Sequence, residues 1–157
     1  GNAGATYTRL LDKMRLQGLS VRDIMTRRPV TVAPDISVRD LVDDIVYRYH
    51  YHRYPVVDDD RLLGWIGSRQ VKAIAQGQWP HLRVCDVMAP ADGGVTISAS
   101  TDAETALDRL QQAHDGWLIV TEGARVAGVV ALRDLQTYLQ LRAELGGKTM
   151  PPNQPES

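Results

Sequence analysis

The sequence has one cysteine, little net charge and no long hydrophobic run. Cys85 is the only cysteine among 157 residues, so no disulfide can form within the chain, which fits a reducing compartment. No apolar run reaches the roughly 18 residues typical of a membrane-spanning helix, and the first residues lack the pattern of a signal peptide. A formal net charge of −1 gives no electrostatic reason to expect nucleic acid as a partner. We therefore expect a cytoplasmic protein that neither inserts into a membrane nor binds nucleic acid.

The motifs of common catalytic and metal sites are also missing. The sequence contains no Gly-rich phosphate loop, no HExxH motif and no nucleophile elbow. Asp58-Asp59-Asp60 could suggest a cation site, but three adjacent carboxylates in a tight turn cannot all face one ion, so we expect a solvated hairpin. We expect no catalytic residues, no metal and no required cofactor. Because Gly1 is not preceded by Met, we expect the chain to be cut from something longer.

What the sequence does contain is an internal repeat. Asp23-Ile24-Met25 returns 63 residues later as Asp86-Val87-Met88, and Tyr54-Pro55-Val56-Val57 returns in shape as Trp117-Leu118-Ile119-Val120. This period is longer than the usual solenoid repeat of about 20–50 residues. It is the length of a small α/β unit that must pair with another to bury its sheet, and a cleft between two such units is where a ligand would bind.

Each half predicts the same order of elements: short helix, short strand, longer helix, hairpin and closing helix. Capping boxes begin at Ser20 and Ser37 in the first half, and Thr101 with Glu104 forms one in the second. The helix that follows this last box is predicted to turn four apolar residues inward: Ala103, Ala106, Leu107 and Leu110. The predicted short strands cover residues 30–32 and 95–97. The predicted hairpins cover residues 54–66 and 117–132, and the closing helices cover 68–75 and 132–145.

These elements group into five segments. We expect a helical lead-in over residues 1–18, a first repeat over 19–76, a linker over 77–82, a second repeat over 83–145 and a disordered tail over 146–157. The lead-in helix is predicted from Thr6 to Gln17, with Leu10, Leu11 and Met14 at helical spacing.

In this order and duplication, the motifs resemble a tandem pair of CBS domains, the regulatory module named for cystathionine β-synthase. The resemblance covers about residues 19–141 and rests on Val21-Arg22-Asp23-Ile24-Met25-Thr26, Pro29-Val30-Thr31-Val32, Tyr54-Pro55-Val56-Val57-Asp58 and Gly64-Trp65-Ile66. It implies an α/β (α+β) fold of two βαββα-type repeats packed with pseudo-two-fold symmetry. It also implies a homodimer, and AMP, ADP, ATP or S-adenosylmethionine as a regulatory ligand between the repeats.

The family's ligand motif is Gly, two apolar residues, Ser or Thr, two residues of any type, and Asp. An Asp at a helix start offers two acceptors to the ribose hydroxyls, and a helix N-terminus favours phosphate. In the second repeat the motif begins at Gly128 and keeps Asp134, but Ala131 stands at the hydroxyl position. In the first repeat the motif begins at Gly64. Both the hydroxyl residue and the Asp are missing, and Gly67 and Gln70 stand in their places.

The resemblance therefore implies two unequal sites. The principal site would be formed by Asp134, Arg133, Gly128, Thr31, Val32, Tyr54 and Pro55. The weaker site would be formed by Gln70, Arg69, Gly64, Thr96, Ile97 and Trp117. The alternative for Asp134 is a first-turn carboxylate that only favours the helix dipole.

An aromatic and basic run covers residues 47–54. Interleaved tyrosines, histidines and arginines could stack nucleic-acid bases or bind a metal. We favour a helix end whose tyrosines cover the sheet edge and whose Arg48 and Arg53 are solvated or meet an anion.

A finer resemblance is to the CBS pair that follows the membrane core of site-2-type intramembrane zinc proteases. It is carried by Tyr7 with Leu10-Leu11, by residues 18–26, by the aromatic and basic run, and by Trp79-Pro80 before residues 84–88. It implies an attached catalytic or membrane domain and a place at the cytoplasmic face of a membrane.

Two functions stay open. One is a ligand-sensing regulatory module, and the other is a dimerisation or scaffold module whose sites have decayed. The short helices over 21–25 and 84–88 have more apolar residues than one small core needs, which predicts that they form the homodimer contact.

Overall fold

The computed structural model describes residues 10–113 and 115–145, and these form two compact units. Unit 1 takes residues 10–27, 95–113, 115–122 and 127–145, and unit 2 takes 28–94 and 123–126. The start of the predicted lead-in helix, His114 and the predicted tail lie outside the described residues. Across the described ranges, no helix has the length and apolar character needed to cross a membrane.

The elements repeat once along the chain, as predicted. In chain order they are α1 (residues 10–15), α2 (Val21–Ile24), β1 (Thr26–Arg27), α3 (Val38–Asp40) running through a π-helix (Leu41–Val46) into α4 (Tyr47–Tyr49), β2 (Arg53–Asp58), β3 (Arg61–Gly67), α5 (Ser68–Lys72), a 3₁₀-helix (Gln76–His81), α6 (Val84–Val87), β4 (Ala89–Pro90), β5 (Thr96–Ser98), α7 (Ala103–Gln112), β6 (Trp117–Glu122), β7 (Arg125–Ala131) and α8 (Leu132–Glu144).

Unit 1 has its strands in the order β1, β7, β6, β5. β5 runs parallel to β6, with Thr96 opposite Ile119, and β1 runs antiparallel to β7, with Thr26 opposite Val129. The predicted inward face of α7 is confirmed, because its apolar residues at helical spacing are all buried: Ala103, Ala106, Leu107 and Leu110. They form one core with residues of α2, β6 and α8, among them Val21, Leu118, Leu135 and Leu139.

Unit 2 is built on the β2–β3 hairpin. The two strands are antiparallel, with Tyr54 opposite Ile66, and their register shifts between Val56 and Val57. β4 pairs with β3 on the side of the motif glycine, where Gly64 lies opposite Pro90. The core beneath the hairpin consists of Val32, Val38, Leu41, Val42, Tyr54, Val56, Ile66, Val71 and Val84.

The two repeats exchange their short helices. α2 and β1 come from the first repeat but lie in unit 1 with the strands of the second, while α6 and β4 come from the second repeat but lie in unit 2. The helix N-termini are held by the same contact in each unit. The N–H of Val21 donates to the carbonyl of Thr101 over 2.8 Å, and the N–H of Val84 donates to that of Ile36 over 2.9 Å. Each exchange thus satisfies a backbone donor that the start of a helix leaves open.

The apolar residues of the short helices are used inside their units. Val21 and Val84 are fully buried, and Ile24, Met25, Val87 and Met88 pack against the two cores. The last four of these residues stay partly exposed, so a homodimer contact through the short helices remains a prediction. The residues that they expose include Arg22, Cys85 and Asp86.

Two local predictions are wrong. Residues 30–32 do not form a strand: Val32 alone pairs, in a single parallel bridge with Val56. The chain leaves the sheet there because the carbonyls of Pro34 and Ile36 accept hydrogen bonds from α6. Thr101 does not cap α7, since the side chain of Asp102 accepts from the N–H of Thr105 over 3.1 Å.

Candidate functional site

In unit 1 the ligand motif runs from β7 into the first turn of α8. Gly128 is buried in β7, while Arg133 and Asp134 are exposed at the start of a helix of 13 residues. The N–H of Leu132 donates to the carbonyl of Gly116 over 2.8 Å, which ties the start of α8 to the start of β6. The carboxylate of Asp134 makes no hydrogen bond or ion pair with any part of the described chain. A free carboxylate in a first helical turn can accept hydrogen bonds from a ligand.

Three more of the predicted residues lie in the same unit. Trp117 is the first residue of β6, directly after Gly116, so it lies beside the start of α8. Thr96 begins the parallel strand β5, and its carbonyl accepts from the guanidinium of Arg109 over 3.0 Å. Ile97 is buried in the core. Unit 1 therefore brings Thr96, Trp117, Arg133 and Asp134 toward one end of its strands.

In unit 2 the corresponding motif is hydrogen-bonded within itself. The N–H of Ser68 donates to the carbonyl of His52 over 2.9 Å, which matches the contact between Leu132 and Gly116 in unit 1. The side chain of Gln70 accepts from the N–H of Gly67 over 2.9 Å, and its amide donates to the carbonyl of Trp65 over 3.4 Å. Arg69 is exposed. Gln70 thus acts as a cap of its own helix.

The other predicted residues of unit 2 lie around β2. Tyr54 and Pro55 are buried, Val32 is buried at its bridge to Val56, and Thr31 is exposed. The hydroxyl of Tyr54 accepts from the N–H of Tyr51 over 3.0 Å. Burial raises the pKa of the Tyr54 phenol, and the hydrogen bond from Tyr51 opposes that rise.

Each predicted set draws on both units. Of the principal set, Asp134, Arg133 and Gly128 belong to unit 1, whereas Thr31, Val32, Tyr54 and Pro55 belong to unit 2. Of the weaker set, Gln70, Arg69 and Gly64 belong to unit 2, whereas Thr96, Ile97 and Trp117 belong to unit 1. Both groupings stay predictions.

The glycine that opens each motif has a packing role that the sequence did not reveal. A Cβ on Gly128 would meet the carbonyl oxygen of Thr26 on β1, and one on Gly64 would meet that of Ala89 on β4. Both glycines are therefore required by the exchanged strands that lie over them.

Three of the four tyrosines in the aromatic and basic run turn outward, whereas Tyr54 is buried in the core. Tyr47, Tyr49 and Tyr51 are 66%, 38% and 57% exposed, so the expectation that they cover the sheet edge is wrong. The guanidinium of Arg48 lies 5.3 Å from the ring centroid of Tyr49, and His50 ends the helix in the left-handed region with φ 65°. Among the described residues, no group of His, Cys, Asp and Glu side chains is arranged to hold a metal ion.

Comparison with protein families shows which family the repeated motifs belong to. The model of the CBS domain matches the chain twice, over residues 21–75 and 84–141. The chain belongs to the CBS-domain family. The prediction of a tandem CBS pair with a mixed α and β fold is thereby confirmed.

Among curated proteins, two zinc metalloproteases are similar to this CBS pair. One, from Methanocaldococcus jannaschii, is 28% identical over 132 residues, which cover 82% of this chain and 35% of that protein. A putative zinc metalloprotease from Synechocystis is 21% identical over 145 residues, which cover 90% of this chain and 38% of that protein. The chain spans little more than a third of these relatives.

Solved CBS structures share the fold. The CBS domain of a bacterial CNNM/CorC family Mg2+ transporter, in complex with ATP, has a TM-score of 0.70 and 21% identity, with 87% of this chain and 97% of that chain covered. CBSX2 of Arabidopsis thaliana, in complex with AMP, has a TM-score of 0.69 and 24% identity, with 80% and 99% covered.

Proposed function

We propose that this CBS pair is a regulatory module that binds an adenine nucleotide, or a related molecule such as S-adenosylmethionine, and thereby controls an attached protein. The observation that carries the proposal is Asp134, the last residue of the motif that begins at Gly128. Its exposed carboxylate has no partner in the described chain. Complexes of CBS neighbours with ATP and AMP support the choice of ligand.

The chemistry of this position suits a nucleoside phosphate. A carboxylate has two oxygens and can accept from both ribose hydroxyls at once. The first turn of α8 presents the positive end of a helix dipole, which favours phosphate, and Arg133 adds a cation beside Asp134. Ala131 offers no hydroxyl, so the carboxylate is the main polar anchor on the chain.

The direct test is calorimetric titration of the purified chain with AMP, ATP and S-adenosylmethionine. We expect at least one of the three to bind, and Asp134→Ala to weaken that binding. Gln70→Ala is the matched control, since it removes the side chain at the equivalent position of the first repeat. Absence of binding by all three ligands at millimolar concentration would overturn the proposal.

The controlled protein is proposed to be a membrane-bound zinc metalloprotease. The support is the similarity to two zinc metalloproteases of which this chain spans little more than a third. A ligand can regulate the attached domain only if it binds one orientation of the module more tightly than another. Activity of the whole protein, measured with and without the nucleotide, tests this, and an unchanged activity at a saturating nucleotide concentration would contradict it.

A second candidate function is a dimerisation or scaffold module, favoured by the missing hydroxyls at Gly67 and Ala131 and by the self-contained hydrogen bonds of Gln70. Four large apolar side chains of unit 1 are exposed and could serve a homodimer contact: Leu10 (56%), Met14 (50%), Leu141 (48%) and Leu145 (81%). This function takes precedence if the titrations give no binding while light scattering gives a dimer.

A further inference from the structure

We propose that Gln70 closes the ligand motif of the first repeat by hydrogen-bonding to the motif's own backbone, so that the chain binds one nucleotide and not two. The stoichiometry rests on the proposed function, whereas the closure itself is a property of the folded chain. Gln70 and Gly67 together thereby set the number of ligands.

The first support is the pair of hydrogen bonds that Gln70 makes. Its carbonyl oxygen accepts from the N–H of Gly67 over 2.9 Å, and its amide donates to the carbonyl of Trp65 over 3.4 Å. The side chain is half-buried and turned back on the motif that would otherwise face a ligand. These two bonds fix the orientation of the side chain, so a ligand that needs Gln70 in any other orientation would have to break them, and breaking a hydrogen bond without replacing it is costly.

The same geometry recurs where no ligand is expected. Asp23 accepts from the N–H of Ser20 over 2.9 Å at the start of α2, and Asp86 accepts from the N–H of Arg83 over 2.9 Å at the start of α6. In both cases the third helical residue caps the backbone donor that precedes the helix. Gln70 occupies that position in α5, so its geometry is that of a structural helix cap.

The second support is the space around Gly67. A Cβ at this position would lie 2.8 Å from the carbonyl oxygen of His52 and 3.0 Å from Cγ of Arg53. The carbonyl of His52 is fixed, because it accepts the N–H of Ser68 over 2.9 Å. The Ser or Thr of the family motif therefore has no room here. The loss of the hydroxyl is built into the backbone and is not a single side-chain change.

The second repeat differs at both positions. Ala131, which is the equivalent of Gly67, already has a Cβ. The carboxylate of Asp134, which is the equivalent of Gln70, makes no bond back to Ala131 or to any other described residue. The backbone contact between Leu132 and Gly116 is nevertheless the same as that between Ser68 and His52. The two motifs therefore share this backbone contact but differ in the room for a Cβ beside it and in whether a side chain bonds back to the backbone.

Two matched pairs of variants, 64 residues apart, test the closure by thermal unfolding. We expect Gln70→Ala to lower the melting temperature by about 2–4 °C, since a lost cap is a modest change in a chain of this size. We expect Asp134→Ala to lower it by less, because its carboxylate has no hydrogen bond to lose within the described chain and interacts only with the helix dipole. Gly67→Ala is expected to lower it further than Gln70→Ala, whereas Ala131→Ser is expected to be tolerated. Equal shifts for Gln70→Ala and Asp134→Ala would overturn the closure.

Titration with AMP tests the stoichiometry. We expect one site per chain for the wild type and also for Gln70→Asp, because a carboxylate there can cap α5 as Asp23 caps α2 and Gly67 still excludes a hydroxyl. Two sites per chain in either protein would overturn the inference. If the wild type binds no nucleotide, the proposed function fails, and the unfolding experiment still decides whether the motif is closed.

Discussion

The thioether sulfur of Met25 lies so close to the backbone of Gly128 that a Cβ on this glycine would be 2.9 Å from it. Met88 stands in the same relationship to Gly64, at 3.1 Å. In each unit a methionine from one repeat thus covers the motif glycine of the other, and the two repeats depend on each other for packing at this point.

Replacing either motif glycine should therefore destabilise the fold. We expect Gly128→Ala and Gly64→Ala to reduce the free energy of unfolding by about 1–3 kcal/mol or more, because the new methyl group meets a backbone carbonyl that cannot move aside. Urea denaturation measures this change. Gly77→Ala is the control, since nothing lies within 4 Å of a Cβ there. A stability of Gly128→Ala equal to that of Gly77→Ala would contradict the close approach.

Binding of the nucleotide should depend on the charge of Asp134. Hydrogen bonds to a charged acceptor contribute about 1.5–3 kcal/mol each in a desolvated site. We expect Asp134→Ala to weaken AMP binding at least tenfold in calorimetric titration, and Gln70→Ala to have little effect. Equal losses from the two changes would show that the carboxylate is not the anchor.

The core of unit 1 should be sensitive to truncation of α7. Leu110 is fully buried, and Leu110→Ala is expected to cost about 2–5 kcal/mol of unfolding free energy through lost contacts and a cavity. Leu10 is 56% exposed, so Leu10→Ala is the matched control and should change stability by no more than about 0.5 kcal/mol. Chemical denaturation of both variants gives the comparison, and similar losses would mean that Leu10 is covered in solution.

Stability should fall in alkali because of Tyr54. Burial raises the pKa of this phenol, so the unfolded chain releases the proton at a lower pH than the folded chain does. The contribution of Tyr54 is fully present below the ordinary tyrosine pKa of about 10 and is lost as pH rises through the folded pKa. We expect the free energy of unfolding to decline less steeply above about pH 10 in Tyr54→Phe than in the wild type.

Near neutral pH, Tyr54→Phe should be the less stable protein, because the N–H of Tyr51 loses its acceptor. Tyr47, which is 66% exposed, gives the control variant Tyr47→Phe, and it should keep the wild-type slope. If the free energy of unfolding of Tyr54→Phe fell with pH in parallel with that of the wild type, burial of the phenol would not govern the loss of stability in alkali.

Much of the fold could be predicted because the repeat fixes which residues are equivalent. Asp23 and Asp86 mark the same helix twice, and the spacing of Ala103, Ala106 and Leu107 predicts the buried face of α7 correctly. The period cannot tell which core a short helix joins, however, since Val21 would be equally buried in either. The exchange became visible only through contacts such as Val21 with Thr101, whose residues lie far apart in the chain.

The site was less predictable for a related reason. The motif pattern predicts that Gln70 and Asp134 behave differently, because they occupy the same position and only Asp134 is charged. It cannot show that Gln70 turns back to Gly67, since a carboxamide can equally well face a ligand. Nor can it show that Gly67 lies against His52, because that contact depends on how the chain enters β2.

The exchange of short helices also sets an order in which the chain can fold during synthesis. Every residue of the unit 2 core lies between Val32 and Val84, so this core can close once residue 94 has left the ribosome. Leu16, Leu19 and Val21 belong to a core whose remaining members begin at Ile97 and end at Leu139. We therefore expect these three residues to be packed only after the segment from Ile97 to Leu139 has been made. A chain halted after residue 94 would have every core residue of unit 2, while those three apolar side chains would still lack the rest of their own core.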